Sequence, residues 1–285
     1  MTTFSTVGVV GAGQMGAGIA QVIAAAGIRV QLSDVNLQAA QNGLNGISKR
    51  LQSQVERDKI SAGDAEALLS NITPVSSLTD LADCDLVIEA ASEDLTLKLN
   101  LFQHLDSVCK PETVLASNTS SISITTIGAA TSRPDKVVGM HFFNPVPVMA
   151  LVEVIRGLAT SDDTFDAAKA FTEQLGKSPV ACNDKAGFVV NRILVPMLNE
   201  ACYVLEEGIA SVEDIDTAMQ LGCAHPMGPL TLADFIGLDT CLAVMEVLHR
   251  ELGEDKYRPA PLLRQYVAAG WLGRKANRGF YDYSA

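Results

Sequence analysis

The chain has little positive charge, and that shortage narrows the classes of protein to which it can belong. Its 285 residues carry 21 Lys and Arg against 33 Asp and Glu, which gives a formal net charge of −12. A surface of that sign repels phosphate backbones, so we expect no nucleic-acid partner. An anionic small-molecule ligand would need a local basic patch.

Metal-type cysteine pairs and long apolar runs are also missing. None of the six cysteines belongs to a CxxC pair, so we predict no metal site and expect buried, reduced thiols. No run approaches the roughly 20 apolar residues that span a bilayer. No targeting segment is visible before the apolar stretch that starts at Thr6. We therefore expect a cytoplasmic protein that does not engage a membrane.

The chain does contain regular alternation of apolar and helical segments. Hydrophobic residues make up 48% of it, enough for a sizeable core. Short apolar runs alternate with amphipathic stretches up to residue 182, which is typical of βαβ units. The spacing then becomes helical. We predict an α/β fold, with a Rossmann-type, doubly wound, mainly parallel sheet in residues 1–184 and an all-α C-terminal domain in residues 185–285.

The strands of that sheet can be placed from the apolar runs. They are predicted at Thr6–Val10, Arg29–Ser33, Asp85–Ala90, Val114–Ser117, Val137–His141, Ala150–Ile155 and Pro179–Cys182. The longest helices are predicted from Leu37 to Lys59 and from Phe188 to Glu207, where Gly208 ends the second of them.

A glycine-rich motif, Gly11-Ala12-Gly13-Gln14-Met15-Gly16, directly follows the first predicted strand and opens a helix. In such a motif Gly11 allows a tight turn, Gly13 lets the backbone approach a pyrophosphate, and Gly16 lets the helix pack close to the strand. The helix N-terminus supplies N–H groups and partial positive charge for phosphates. The motif in this context predicts a dinucleotide site.

An acidic residue completes the dinucleotide signature. Asp34 lies eighteen residues after Gly16, just past the second predicted strand. A carboxylate there accepts hydrogen bonds from a ribose 2′-hydroxyl and repels a 2′-phosphate, so NAD is favoured over NADP. The alternative is that Asp34 only caps the following helix.

A histidine and a glutamate stand out among apolar residues further along. His141, one of only four histidines, follows the run Val137–Met140, and Glu153 lies alone inside Leu151–Ile155. A carboxylate among strand residues is costly without a partner. A histidine held by a carboxylate makes a general base that works near neutral pH. The alternatives are a structural histidine and a buried acid with another partner.

These motifs, with four others, make the chain resemble the 3-hydroxyacyl-CoA dehydrogenase family, and within it the short soluble 3-hydroxybutyryl-CoA enzymes. The resemblance covers essentially the whole length. Beside the glycine loop and the segment around His141, it rests on the motifs Ser117–Ser120, Leu151–Val154, Gly187–Arg192 and Asp214–Asp216.

The resemblance implies reversible, NAD-dependent oxidation of 3-hydroxyacyl-CoA, with a short chain such as 3-hydroxybutyryl. It makes His141 the catalytic base and Glu153 the partner that orients it. Ser120 would bond the substrate oxygen, and Asn191 would add a polar group across an interdomain cleft. The alternatives are that Ser120 belongs to the cap of the helix near Ser123 and that Asn191 caps its own helix.

The resemblance also implies contacts to the cofactor and to coenzyme A. Glu93, Lys98 and Asn144 match positions that contact the ribose or nicotinamide half, as Ser120 does, although Lys98 could instead lie on a solvated helix face. Arg50 and Arg57 are seven residues apart, so on one long helix they would share a face that could meet the phosphates of CoA. An ordinary solvated face is the alternative.

The resemblance further implies a homodimer through the helical domain. Two other functions stay open at this point. One is a related NAD-dependent hydroxyacid or sugar-acid dehydrogenase, which would need an arginine for the free carboxylate. The other is a non-catalytic NAD-binding structural relative. The joint presence of Ser120, His141, Glu153 and Asn191 favours an enzyme.

Overall fold

The computed structural model of the chain describes residues 4–284. It separates into two compact units, and the division falls between Lys185 and Ala186. Among the described residues, no helix is both long and apolar enough to cross a membrane.

The first unit is built on an eight-stranded sheet in the order β3-β2-β1-β4-β5-β6-β7-β8. The strands are β1 (Thr6–Val10), β2 (Arg29–Ser33), β3 (Ile72–Val75), β4 (Leu86–Glu89), β5 (Val114–Ser117), β6 (Val137–Phe142), β7 (Leu151–Arg156) and β8 (Ser178–Asn183). Every pairing is parallel except that of β6 with β7. The predicted Rossmann-type, mainly parallel sheet is confirmed.

Helices connect these strands and make up the second unit. Those of the first unit are α1 (Gln14–Ala25), α2 (Leu37–Val55), α3 (Ala62–Ser70), α4 (Leu95–Val108), α5 (Ile124–Gly128) and α6 (Asp162–Gln174). Those of the second are α7 (Val190–Glu206), α8 (Val212–Cys223), α9 (Pro229–Ile236), α10 (Leu238–Leu252) and α11 (Pro261–Ala268).

The sheet has its switch point at β1, which pairs with β2 on one side and β4 on the other. In doubly wound sheets, ligands bind beyond the carboxyl ends of the strands next to such a point. Strands β4 and β5 are buried at every position, as expected for parallel strands covered on both faces. The loops that follow β1, β4, β5 and β6 therefore meet at one edge of the sheet.

Two boundaries differ from the predictions because single residues leave the regular backbone. Helix α2 ends at Val55 rather than Lys59, and Asp58 beyond it has φ +54°. Helix α7 begins at Val190 rather than Phe188, because Gly187 and Phe188 have φ +76° and +47°. A residue in the left-handed region cannot continue a right-handed helix.

Strand β3 is not among the predicted strands. It has four residues, lies at the edge of the sheet and contains Pro74. Proline cannot donate to a ladder, so it argues against a central strand and is tolerated only at an edge. The expected burial of the thiols is confirmed for five of the six cysteines, all except Cys223.

Candidate active site

The glycine turn after β1 is fixed by backbone contacts that leave no room for side chains. Gly11 has φ +99°, and its N–H donates to the Ser33 carbonyl at 2.8 Å. A Cβ on Gly11 would lie 2.6 Å from the Ala90 carbonyl oxygen, and one on Gly16 would lie 1.7 Å from the Gly11 carbonyl oxygen. Both glycines are therefore required for helix α1 to start where it does.

Gly13 differs from its two neighbours, because a Cβ there would meet nothing within 4 Å. Gly13 is the N-cap of α1 and brings no side-chain cap, so the first N–H groups of the helix are not bonded to a capping side chain. An open, glycine-lined helix N-terminus fits the pyrophosphate of a dinucleotide. The residues present thus suit NAD on this chain's own geometry.

Asp34 joins the glycine turn to the end of β2. One carboxylate oxygen, Oδ2, accepts from Ala12 N–H, and the other, Oδ1, accepts from Val35 N–H, both at 2.6 Å. The cap of α2 is Asn36, whose side chain accepts from Ala39 N–H. The alternative that Asp34 caps this helix is therefore wrong.

Glu93, in the loop after β4, gathers the donors of the segment after β5. Its Oε1 accepts from the Thr119 hydroxyl at 2.6 Å and from the Ser120 and Ser121 N–H groups at 3.0 and 3.1 Å. The Ser121 and Ser120 hydroxyls add contacts at 2.9 and 3.3 Å. Burial acts to raise the pKa of Glu93, but the charge of Lys98 and these hydrogen bonds outweigh it, and its pKa is lowered.

Lys98 is buried, with 1% of its surface exposed, so the alternative of a solvated helix face is wrong. Its Nζ lies 2.6 Å from Oε1 of Glu89, a fully buried residue at the end of β4, and 3.4 Å from Oε2 of Glu93. The Ala91 carbonyl oxygen is 3.5 Å away. Three acceptors thus surround the three N–H donors of this ammonium group.

The segment around His141 begins inside the sheet. His141 and Glu153 face each other across the antiparallel pair β6–β7, and both are buried. His141 Nδ1 lies 2.8 Å from Glu153 Oε2. A carboxylate accepts and does not donate, so the proton of a neutral ring sits on Nδ1 and the lone pair on Nε2. Phe143 packs on the imidazole, with ring centroids 4.5 Å apart.

Two asparagines tie this segment to its neighbours at the sheet edge. Asn118, after β5, accepts from Phe142 N–H through Oδ1 at 2.9 Å. Asn144 accepts from the Gln14 side-chain amide of the glycine motif at 3.0 Å. The structure therefore places the glycine motif, the Ser120 segment and the His141 segment along the same edge.

The two predicted arginines do not share a helix face. Arg50 lies in α2 and donates from Nε to the Gln21 side chain at 3.2 Å. Arg57 lies beyond the end of the helix at Val55 and is exposed. Because the helix stops between them, the seven-residue spacing no longer places both on one side, and that part of the prediction is wrong.

Asn191 belongs to the second unit. It is the second residue of α7 and is half-buried. The cap position of that helix is occupied by Val189, so the alternative of a capping role for Asn191 is wrong. Similarly, the cap of α5 is Ser123, and Ser120 lies before it.

Sequence reasoning overlooked Glu89 and the position of Asn118. Glu89 carries the signal that revealed Glu153, a lone carboxylate against the apolar run Leu86–Ile88. Asn118 follows a predicted strand, but its bond to Phe142 N–H depends on the neighbouring strand and has no local signal. Among the described residues, no cluster of His, Cys, Asp and Glu could hold a metal ion.

A glycine turn at a helix N-terminus, an acidic residue after β2 and a His–Glu pair at the same sheet edge define a dinucleotide-dependent dehydrogenase of the α/β class. The profile of the 3-hydroxyacyl-CoA dehydrogenase NAD-binding domain matches residues 6–185, and that of the family's C-terminal domain matches residues 187–283. The chain belongs to the 3-hydroxyacyl-CoA dehydrogenase family, and its cofactor is NAD.

Individual relatives agree over nearly the full length. The 3-hydroxybutyryl-CoA dehydrogenase of Bradyrhizobium diazoefficiens is 56% identical over 277 residues, which is 97% of this chain and 94% of that one. The enzyme of the same name from Clostridioides difficile is 49% identical over 97% and 98% of the two chains. The crystal structure of (S)-3-hydroxybutyryl-CoA dehydrogenase from Ralstonia eutropha has a TM-score of 0.96 and 53% identity, and covers 99% of this chain and 100% of that one.

Proposed function

We propose that the chain catalyses the reversible, NAD-dependent oxidation of 3-hydroxybutyryl-CoA to acetoacetyl-CoA, with His141 as the acid–base residue. The observation that carries this proposal is the 2.8 Å contact of His141 Nδ1 with Glu153 Oε2, at the sheet edge that also carries the glycine turn. The names of the relatives support the choice of substrate.

In the oxidation direction, His141 removes the proton of the substrate 3-hydroxyl through Nε2. The ring then becomes an imidazolium, and the buried carboxylate of Glu153 stabilises that charge while it keeps the ring oriented. In the reduction direction, the imidazolium returns the proton to the substrate oxygen. Bound NAD supplies the acceptor for the hydride that leaves C3.

Ser120 is proposed to bond the substrate oxygen. Its hydroxyl makes the longest of the five contacts to Glu93 Oε1, 3.3 Å against 2.6–3.1 Å for the others. A long hydrogen bond is the cheapest to exchange for one to a ligand. The Ser120 N–H still holds the residue in place while the hydroxyl turns to the substrate.

The NAD site is assigned to the glycine turn and the side chains beside it. The open helix N-terminus at Gly13 suits the pyrophosphate, and Asp34 suits a ribose with a free 2′-hydroxyl. The other glycine-motif residues shape this turn. Glu93 and Asn144 are assigned to the nicotinamide half, with Lys98 held behind Glu93.

The remaining substrate contacts rest on the family resemblance. Asn191 is proposed to contact the acyl-CoA from the second unit, and Arg50 and Arg57 to meet the anionic end of coenzyme A one by one rather than as a pair. The second unit is also proposed to form a homodimer, because it exposes large apolar side chains at Val189, Ile193, Ile209, Leu221 and Phe235. Residues 1–184 and 185–285 would thus serve as the NAD-binding and the substrate and dimerisation domains.

The test is the oxidation of NADH with acetoacetyl-CoA, with 3-ketoacyl-CoA thioesters of increasing chain length, and with free acetoacetate. We expect kcat/KM for acetoacetyl-CoA to exceed that for acetoacetate by about 100-fold or more, since the binding energy of a remote CoA moiety lowers the barrier. Replacing NADH by NADPH should lower the rate because of Asp34. Faster turnover of the free acid, or none of the thioester, would reject the proposal.

A further inference from the structure

Glu89, at the end of β4, has no role in the reaction described above, yet it is a buried carboxylate beside the site with hydrogen bonds to both of its oxygens. It is 0% exposed. Its Oε1 accepts from Lys98 Nζ at 2.6 Å and from Ala91 N–H at 2.7 Å, and its Oε2 accepts from the Ser117 hydroxyl at 2.6 Å. Burying a charge is costly, so such a group persists where its bonds hold something in place.

Two arms lead from Glu89 to the segment that carries Ser120. The first is neutral: Ser117 lies opposite Glu89 in the β4–β5 register, donates its hydroxyl to Glu89, and accepts from Thr119 N–H at 3.2 Å. Donation to Glu89 leaves the oxygen of Ser117 to act as the acceptor. The backbone of Thr119, one residue before Ser120, is thereby held.

The second arm is charged. Lys98 lies between Glu89 and Glu93, so one ammonium group serves two carboxylates, and this group of three carries a net charge of −1. Glu93 Oε2 faces Lys98, which leaves Oε1 to collect the donors of Thr119, Ser120 and Ser121. Without Glu89, Lys98 would be free to move onto Glu93 and compete for those contacts.

We propose that Glu89 is a positioning residue for the substrate-binding serine: through Ser117 it fixes the backbone before Ser120, and through Lys98 it fixes the Glu93 carboxylate that holds the Ser120 N–H. This rests on the proposed function, because it takes from there the role of Ser120 toward the substrate oxygen. Glu89 itself touches neither substrate nor cofactor in this assignment. Loss of Glu89 should therefore lower kcat and increase the mobility of the segment Thr119–Ser121.

The first test is hydrogen–deuterium exchange of the free enzyme, which does not depend on activity. In Glu89→Gln, the N–H groups of Thr119, Ser120 and Ser121 should exchange faster by about tenfold or more, since they report local opening. The matched control is Asp106→Asn, which breaks the ion pair of Asp106 with Arg133 at the other end of α4. It should leave exchange at Thr119–Ser121 unchanged.

The second test separates positioning from cofactor binding. In Glu89→Gln we expect kcat with acetoacetyl-CoA to fall about 10- to 100-fold, as misplacement of a reacting contact does. The Kd for NADH, measured by fluorescence, should differ from that of the wild type by less than about threefold, a smaller change than the loss of kcat. Wild-type kcat together with wild-type exchange at Thr119–Ser121 would overturn the proposal.

A double variant covers the case in which Glu89→Gln does not fold. Removing one partner of a buried ion pair is strongly destabilising, whereas removing both is often neutral. Glu89→Gln/Lys98→Met should therefore fold with a near wild-type Tm and still show low kcat and fast exchange. Wild-type kcat and wild-type exchange in the double variant would mean that the Glu89–Lys98 pair serves stability alone. Ser120→Ala distinguishes the two proposals: if it keeps wild-type kcat, the proposed function of Ser120 fails independently of Glu89.

Discussion

At the scale of single residues, the proposed chemistry depends on the cross-strand pairing of His141 with Glu153. The strand register puts the two side chains on the same face, and the sheet holds them there without help from a loop. If His141 is the base proposed above, two strands rather than a loop fix its orientation. Its tautomer is set by the carboxylate and not by the ligand.

The first prediction concerns this pair. His141→Gln removes the group that accepts the proton, so kcat should fall by about 10³-fold, within the range that general acid–base catalysis contributes. The Kd for NADH should be unchanged, because the cofactor contacts are assigned elsewhere. Stopped-flow absorbance of NADH and a fluorescence titration measure the two quantities. Wild-type kcat in His141→Gln would exclude the residue as the base.

Glu153→Gln is the companion variant. The amide can accept from Nδ1 through its oxygen but cannot stabilise the imidazolium by charge, so kcat should fall less than in His141→Gln. Stopped-flow absorbance of NADH with acetoacetyl-CoA measures this smaller loss of kcat. A wild-type kcat in Glu153→Gln would show that Glu153 does not assist His141 in the reaction.

Some site residues could be predicted from the sequence and others could not, for a physical reason. Glu153 stands out because a charge inside an apolar strand needs a partner. Lys98 has no such signal, since it lies on a helix where lysines are usually solvated. Its burial follows from Glu89, at the end of the preceding strand β4, and a pairing between a strand end and the first turn of the following helix has no periodicity in the sequence.

At the scale of elements, the glycine turn between β1 and α1 contains one glycine that the fold requires, Gly16, and one that we assign to binding, Gly13. Gly16→Ala places a Cβ 1.7 Å from the Gly11 carbonyl oxygen, so the turn must shift, and the free energy of unfolding should fall by about 3 kcal/mol, as in overpacked interiors. Gly13→Ala meets nothing within 4 Å and should leave stability within about 1 kcal/mol.

The second prediction concerns cofactor binding by Gly13→Ala. Gly13→Ala should raise the Kd for NADH by about tenfold or more, because the added methyl group occupies the space where the backbone approaches the pyrophosphate. Gly63→Ala in α3 is the control, since its Cβ would meet only Ser61, at 3.8 Å. Unfolding in urea and titration with NADH measure both effects. Normal NADH affinity in Gly13→Ala would show that the pyrophosphate does not bind at this turn.

Asp85 ties the starts of β1 and β4 to the end of α4. It accepts from Ser5 N–H, the Ser5 hydroxyl and Thr6 N–H, and pairs with Lys110 at 2.8 Å. Burial acts to raise its pKa, but the bonds from Lys110, Ser5 and Thr6 outweigh it and lower the pKa well below its ordinary value. A lowered carboxyl pKa stabilises the fold above the unfolded pKa, and that contribution is lost as the pH falls through the lower, folded value.

The third prediction follows from that sign. Asp85→Asn should lower the free energy of unfolding by about 2 kcal/mol at neutral pH, in keeping with hydrogen bonds to a charged group. The difference should shrink as the pH falls below about 4, where the unfolded aspartate is protonated. Asp83→Asn, an exposed neighbour, is the control and should change stability by less than about 0.5 kcal/mol. A difference in unfolding free energy between the wild type and Asp85→Asn that does not change with pH would contradict the assignment of the lowered pKa to Asp85.

The order of the elements could be predicted more completely than their ends. Alternation of apolar runs identified the parallel sheet because each buried strand must be apolar along its length. The edge strand β3 was not predicted, since Pro74 is tolerated only where one side of a strand is unpaired. The end of α2 was not predicted either, because Asp58 takes a positive φ that no residue type there indicates. The early end of α2 is also why Arg50 and Arg57 do not share a face.

At the scale of the whole molecule, both units expose large apolar side chains, but on different kinds of element. In the first unit, Val35, Val148, Met149 and Leu158 lie on loops, whereas Leu37, Leu95 and Leu97 lie only in the first turns of α2 and α4. In the second unit, they include Ile193 and Leu221 on helices, and Ile193 is 68% exposed near the start of α7. Apolar residues on a rigid helix suit a permanent interface better than residues on loops do.

The fourth prediction tests the proposed homodimer on this surface. Ile193→Asp places a charge on the exposed face of α7, and a buried, unpaired charge at an interface costs several kcal/mol. Sedimentation should therefore show wild type as a dimer at micromolar concentration and Ile193→Asp as a monomer with an unchanged circular dichroism spectrum. Leu158→Asp, at a residue 90% exposed in the first unit, is the matched control and should stay dimeric. A monomeric wild type would reject the proposed homodimer. A dimeric Ile193→Asp would place the interface away from α7, and dissociation by Leu158→Asp would place it on the first unit.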